Sequence, residues 1–209
     1  MPNRALIGIL LSVFGNFASA GTITAFYFTG SPTSWVSGGK TATLTPGAGY
    51  GFSPYLGVNF FGDLSPDYVN IAVTNFAIND WWYLYFAVPK GQPLHVGTYL
   101  NATRWPFETS TDPGLSFVGD GRGDNRLTGF FTILEIGFVS GQLSSFAADF
   151  TQFDENLTIW WNRGSIRYNS TIPLDVAATP EPSTLALFAC GLLVSSSAWW
   201  RCRRRAHSS

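Results

Sequence analysis

Trp81-Trp82-Tyr83-Leu84-Tyr85-Phe86-Ala87-Val88 decides the fold. Read with a period of two, Trp82, Leu84, Phe86 and Val88 face one way, and Trp81, Tyr83, Tyr85 and Ala87 face the other. A helix would scatter both sets around its circumference, whereas a pleated strand sends alternate side chains to opposite faces. Aromatic and β-branched residues suit that surface. The same alternation runs outward in both directions. Val69, Ile71 and Val73 alternate with Asn70, Ala72 and Thr74. Phe130, Leu134, Ile136 and Phe138 fit one face of a long strand. Phe146, Ala148 and Phe150 alternate with Ser145, Ala147 and Asp149, and Ile166 and Tyr168 with Arg167 and Asn169. Turn formers such as Ser37-Gly38-Gly39, Ser65-Pro66-Asp67, Asn79-Asp80 and Ser140-Gly141 separate the runs, and no stretch of this region has a helical period. About eight to ten strands at this spacing predict an all-β fold, an antiparallel β-sandwich of jelly-roll type over residues 21–171.

Composition agrees and narrows the function. Only 12% of the 209 residues are charged and 16% are aromatic, which suits sheets better than helical surfaces. Once Arg4 and the four arginines near the C-terminus are set aside, acidic residues outnumber basic ones, so no basic stripe remains for nucleic acid. Both cysteines, Cys190 and Cys202, fall near the C-terminus. The central region therefore has no thiol nucleophile, no disulfide and no cysteine zinc site. With His95 as its one histidine, it has no multi-histidine metal site either.

The two ends read as targeting segments. Arg4, the apolar run Ala5 to Phe14 and the small-x-small pattern Ala18-Ser19-Ala20 form a signal peptide over 1–20, with Gly21 as the mature N-terminus. Its partners are the Sec translocon and signal peptidase. At the other end, Ile172 to Ala178 is a short linker, followed by Thr179-Pro180-Glu181-Pro182-Ser183-Thr184, an apolar stretch from Leu185 to Trp200, and Arg201-Cys202-Arg203-Arg204-Arg205. As a helix the apolar stretch spans roughly 24–27 Å, enough for a short transmembrane segment. Arg201, Arg203, Arg204 and Arg205 anchor its cytoplasmic end by the positive-inside rule.

This order of motif, helix and arginines resembles the PEP-CTERM sorting domain over residues 179–209, with Pro180, Glu181 and Pro182 as the diagnostic triplet. The resemblance implies an exosortase as partner, an inner-membrane intermediate, removal of the tail, and delivery to the cell surface or exopolysaccharide matrix of a Gram-negative bacterium. A second resemblance covers roughly Phe26 to Ser170. It is carried by Trp82-Tyr83-Leu84-Tyr85-Phe86, Gly97-Thr98-Tyr99, Ala102-Thr103-Arg104-Trp105-Pro106-Phe107, Gly119-Asp120-Gly121-Arg122-Gly123-Asp124-Asn125 and Gly164-Ser165-Ile166-Arg167-Tyr168-Asn169-Ser170. These segments look like a β-rich module of bacterial secreted proteins that has no assigned activity. The resemblance implies cysteines at the positions of Asp124 and Asp154; if they pair, this chain has replaced both ends of one link with aspartate.

Four candidate sites follow. Asp120, Asp124 and Asn125, joined by Asp154, offer oxygens for a cation, and Ca²⁺ is the one cofactor this pattern admits. Asp120 to Asn125 read equally well as a hydrogen-bonded turn, and two close carboxylates without a cation should repel or share a proton. Trp81, Tyr83, Tyr85, Trp160 and Trp161 offer flat faces for stacking on sugar rings, against the alternative of sheet packing. Glu108, Glu135, Asp149, Asp154 and Glu155 are the acids from which a secreted carbohydrate-active hydrolase would draw a carboxylate pair. Arg122-Gly123-Asp124 spells an integrin-binding tripeptide, a match short enough to arise by chance. No nucleophile elbow, P-loop or metal-ligand helix accompanies them. The reading is therefore a non-enzymatic exported protein, structural or glycan-binding, with exopolysaccharide as a candidate partner and the hydrolase as the alternative.

Overall fold

The computed structural model describes residues 21–57 and 67–176. The signal segment with Ala18 and Ala20, the turn at Ser65-Pro66, the triplet Pro180-Glu181-Pro182, the apolar stretch and the arginines Arg201, Arg203, Arg204 and Arg205 lie outside the described residues. Among the described residues no helix is long and apolar enough to cross a membrane. The chain divides into two compact units, 1–174 and 175–209, and everything below concerns the first.

That unit is all-β. Its strands are β1 (Ile23–Gly30), β2 (Thr41–Leu44), β3 (Gly51–Gly57), β4 (Tyr68–Asn75), β5 (Asp80–Ala87), β6 (Gly97–Arg104), β7 (Gly114–Gly119), β8 (Leu127–Val139), β9 (Gln142–Asp154) and β10 (Trp161–Ser170). They form one sheet of ten strands in the order β2-β1-β10-β9-β8-β6-β7-β5-β4-β3. This differs from the expected pair of antiparallel sheets in two ways. The sheet is continuous, and β6 and β7 run parallel, over Thr103–Arg104 against Gly114–Leu115.

One curled sheet does the work of two. Register shifts in β6 between Tyr99 and Ala102, and in β8 near Ile133 and Gly137, bend and twist the long strands. β2 and β3 stand at opposite edges of the sheet, yet Thr45–Tyr50 join them. Leu44 to Gly51 can reach at most about 25 Å, and the 3₁₀ turn at Pro46–Ala48 shortens that reach. The two edges therefore approach each other, and the sheet closes into a half-barrel. Rings from strands far apart in the order then meet inside it: Phe28 of β1 lies 4.5 Å from Trp82 of β5, and Phe86 of β5 lies 5.6 Å from Phe146 of β9.

The decisive stretch behaves as its period requires. Trp82, Leu84, Phe86 and Val88 are buried, while Trp81, Tyr83 and Tyr85 are half-buried on the outer face; Ala87, read onto that same face, is buried. Gly119, opposite Trp82, keeps that indole in place, since a Cβ there would come within 2.3 Å of the ring. In β8 the single face read from Phe130, Leu134, Ile136 and Phe138 is corrected, and Phe138 is exposed. Phe130 points out, and Leu127, Phe131 and Ile133 are the buried residues. The bulge between Ile133 and Glu135 then inverts the parity, so that Ile136, opposite Phe146, packs on the core after all. Ser140 and Gly141, both at positive φ, make the two-residue turn between β8 and β9.

Candidate functional site

The loops after β1, β4, β7 and β9 gather at one end of the half-barrel, called apical here. Two features occupy it. The first is a polar cluster where the sheet splits. β6 ends at Arg104, so the upper half of β7 has no strand on that side. Gln152 of β9 fills the gap with its amide: Oε1 accepts from Phe117 N at 2.8 Å and Nε2 donates to Phe117 O at 3.1 Å. The side chain thus stands in for the missing strand neighbour, satisfying a backbone pair that burial would otherwise leave unmatched. Gln152 Nε2 also lies 2.8 Å from Asp124 Oδ2 and 3.5 Å from Asp154 Oδ1. Asp154 takes a further bond from Asn162 Nδ2 at 2.6 Å, and its Oδ2 faces Ser34 Oγ at 2.7 Å and Val36 N at 3.3 Å. Asp124 and Asp154 are 5% and 0% exposed and in hydrogen-bonding contact with each other. Burial, and then the neighbouring Asp154, push the Asp124 carboxyl up to about 8.

The second feature is an open cleft of about 540 Å³ lined by Lys40, Ile78, Asn79, Asp80, Trp81, Asp120 and Gly121. Trp81 starts the outer face of β5 and lies 5.3 Å from Tyr83. Asp80 is held rigidly: its Oδ1 accepts from Trp82 Nε1 at 2.8 Å, and Tyr50 donates its hydroxyl to Oδ2. Burial, followed by that carboxylate, pushes the Tyr50 hydroxyl up to about 12. Asp120 accepts from Lys40 Nζ at 2.8 Å and from Trp81 N at 3.4 Å. Burial pushes the Asp120 carboxyl up, but Lys40 and the Trp81 N–H outweigh it and hold the carboxyl below its ordinary range. The cleft therefore offers one indole, an exposed Ile78, fixed acceptors, and the donors Asn79 and Lys40.

The structure sorts the expected site residues. Asp124 and Asp154 come together, but Asp120 does not join them; it belongs to the cleft. Asp120 and Gly121, both at positive φ, form a tight turn closed by reciprocal Gly119–Arg122 backbone bonds, which is the turn reading of this loop. Asn125 contributes its backbone N–H to Glu155 at 2.8 Å. Among the described residues no group of three or more His, Cys, Asp or Glu side chains is arranged to hold a metal ion. The four-oxygen cation set is therefore corrected to a two-carboxylate contact. Arg122 packs at Gly38 and lies 3.9 Å from Asp120 within the apical loops.

The aromatic platform also divides. Trp81 and Tyr83 adjoin, whereas Tyr85 stacks on Trp105 at 3.9 Å and an interplanar angle of 12°. Trp160 ends the β9–β10 turn and Trp161 starts β10, five places from β5 in the sheet, and Trp161 lies under Arg163 at 5.0 Å. Of the acids named for hydrolysis, none lines the cleft. Asp149 is bound to Arg167 at 2.9 Å and to Ser165 at 2.7 Å; Glu135 accepts from Ser170 at 2.6 Å. Asp80 and Asp120 do line it, but both are committed to protein donors, Asp80 to Trp82 Nε1 and the Tyr50 hydroxyl, Asp120 to Lys40 Nζ and Trp81 N.

Comparison with known proteins finds no family model, no curated protein and no solved structure that matches the chain.

Lys40, Asn79, Asp80, Gln152, Asn162 and Ser34 were not among the expected site residues. For Gln152 and Asp154 a signal existed. The period of Phe146, Ala148 and Phe150, carried two steps further, turns both polar side chains inward. Lys40 reaches Asp120 across 80 positions of sequence, and no local pattern announces it.

Proposed function

We propose that this chain is an exported cell-envelope protein whose half-barrel binds carbohydrate without turning it over. The observation that carries the reading is the cleft at Trp81. An indole face beside fixed carboxylate acceptors and amide and ammonium donors suits the alternating apolar and hydroxyl surfaces of a pyranose ring. With Asp80 and Asp120 set against Lys40 and Arg122, the cleft carries no excess positive charge, which favours an uncharged sugar over an acidic one.

The export half of the proposal rests on the ends of the sequence. A signal peptide over 1–20 leaves Gly21 first, and a transmembrane helix after Pro180-Glu181-Pro182 holds the protein at the inner membrane until an exosortase removes the tail. The chain path is compatible with display. Ile23 at the start of β1 pairs with Ser170 at the end of β10, so both ends leave the half-barrel together. Gly30 and Asn162 pair at the other, apical end. The ten residues of β10 separate the two by roughly 30 Å. Arg167 fixes the exit, donating from Nε to the carbonyls of Ile172 and Pro173 at 3.2 and 2.9 Å.

Two measurements test the two halves. Intact mass spectrometry of the surface form should give a chain that begins at Gly21 and lacks the tail; a retained tail overturns the exosortase step. A glycan array probed with the full chain should give binding to neutral saccharides with no release of reducing ends. Turnover that disappears on substituting Asp80 or Asp120 would replace the binding reading with the hydrolase.

A further inference from the structure

We infer that Asp124 and Asp154 are a carboxylic acid–carboxylate pair sharing one proton, and that this pair latches the β7–β8 loop to the β1–β2 loop. An ionised carboxylate only accepts hydrogen bonds, so two of them in hydrogen-bonding contact need a proton or a cation between them. The surroundings assign the roles. Asp154 accepts from Asn162 Nδ2 and Val36 N and shares the Ser34 hydroxyl with Asn162 Oδ1, and is the accepting partner. Asp124 has one donor, Gln152, on Oδ2, while its buried Oδ1 meets none. Asp124 is the acid, and Oδ1 carries the proton toward Asp154.

A cation is the competing neutraliser, and the donors argue against it. Gln152 Nε2 points a hydrogen at Asp124 and Asn162 Nδ2 points one at Asp154, where a cation would need lone pairs. The other groups around the pair leave it negative. Glu155 on the β9–β10 turn adds a third acid and faces Arg126 at 3.9 Å. Arg122, on the same loop as Asp124, lies against Asp120. The β1–β2 loop and β10 contribute the neutral groups Ser34, Val36 N and Asn162.

The latch has a sign. Burial and Asp154 raise Asp124 from 3.8 to about 8 in the folded state. Folded protein then keeps a proton that unfolded protein has already lost between about pH 4 and about pH 8. The stabilisation is complete below that window, declines through it and is gone above it. Past about pH 8 two buried charges repel, and the β7–β8 loop is released with Asp120, one wall of the Trp81 cleft. The latch holds whether or not the cleft takes a sugar.

The test compares melting of the full chain with its Asp124→Asn variant from about pH 5 to about pH 9, in EDTA and in Ca²⁺. The carboxamide keeps the bond from Gln152, donates to Asp154 and cannot ionise. The expected result is a variant that gains on the wild type as pH rises, by up to roughly 3–5 °C per pH unit, and stops gaining above about pH 8. EDTA and Ca²⁺ should give the same curves. A gap that is the same at every pH overturns the proposal. So does a wild type that Ca²⁺ stabilises when the variant is unaffected, since a cation would then hold the pair. Should the variant not fold, infrared spectra of wild type carrying ¹³C-labelled aspartate decide. One protonated carboxyl at about pH 6.5 whose band falls to about half near pH 8 and is lost above about pH 9 supports the shared proton, and its absence at the lower pH refutes it.

Discussion

The concave face of the half-barrel and the split at its apical end are equally dry and chemically opposite. Phe26, Phe28, Trp82, Phe86, Phe117 and Phe150 fill the first, with Phe117 stacked 5.1 Å from Trp82. Gln152 and Asp154, two and four residues beyond Phe150 on the same face of β9, belong to the second, together with Asn162, Ser34 and Asp124. In the first region burial stabilises by removing apolar area from water, and neighbours matter mainly as volume. In the second, burial is unfavourable for each group alone and is offset by hydrogen bonds that must all be present together. The changeover falls where β6 stops and β7 loses a neighbour. A sheet that splits needs polar side chains to replace its missing backbone partners, and Gln152 does this for Phe117.

The contrast can be broken in order of expected effect. Phe131→Ala should lower stability by about 3–5 kcal/mol, because it opens a cavity among rings such as Tyr99 at 4.8 Å and Phe86 at 5.4 Å. Phe130→Ala, one residue away on the outer face, should change it by no more than about 1 kcal/mol. Urea unfolding of the two variants checks the parity of β8, and equal effects would restore the face read from Phe130 and Phe138. Next, Gln152→Ala should lower stability by about 2–4 kcal/mol by stripping partners from Phe117 and both carboxylates at once. Gln152→Leu, which restores volume without hydrogen bonds, should recover little of it; full recovery would mean that the split behaves like the apolar core. Ser34→Ala should lower stability by about 1–2 kcal/mol, because Asp154 keeps its other donors. Trp81→Ala comes last for stability, at no more than about 1 kcal/mol, since the ring is half-buried.

The same contrast explains what the sequence yielded. Period-two alternation is a record of apolar faces, so Trp81–Val88 and Phe146–Phe150 were readable residue by residue. It failed in β8, where the bulge at Ile133 shifts the phase between Phe131 and Ile136 and a single face cannot fit the whole strand. The curl was not readable either. It depends on β2 and β3 being sequence neighbours at opposite sheet edges, and hydropathy carries no trace of which strands pair. Of the sites, the proximity of Asp124 and Asp154 was only what the resemblance implied, and the alternation set Trp81 on the face opposite Trp82 without saying what covers it. The partners were not legible. Lys40 joins Asp120, and Ser34 joins Asp154, through contacts between loops that only the closed sheet brings together.

Display of a carbohydrate-binding cleft is the central claim, and glycan binding by the full chain and its Trp81→Ala variant tests it most directly. The account predicts that the wild type binds neutral saccharides, that the variant binds at least about tenfold more weakly, and that the two melt at nearly the same temperature. Equal binding by wild type and variant, or a wild type that binds no saccharide, would contradict it.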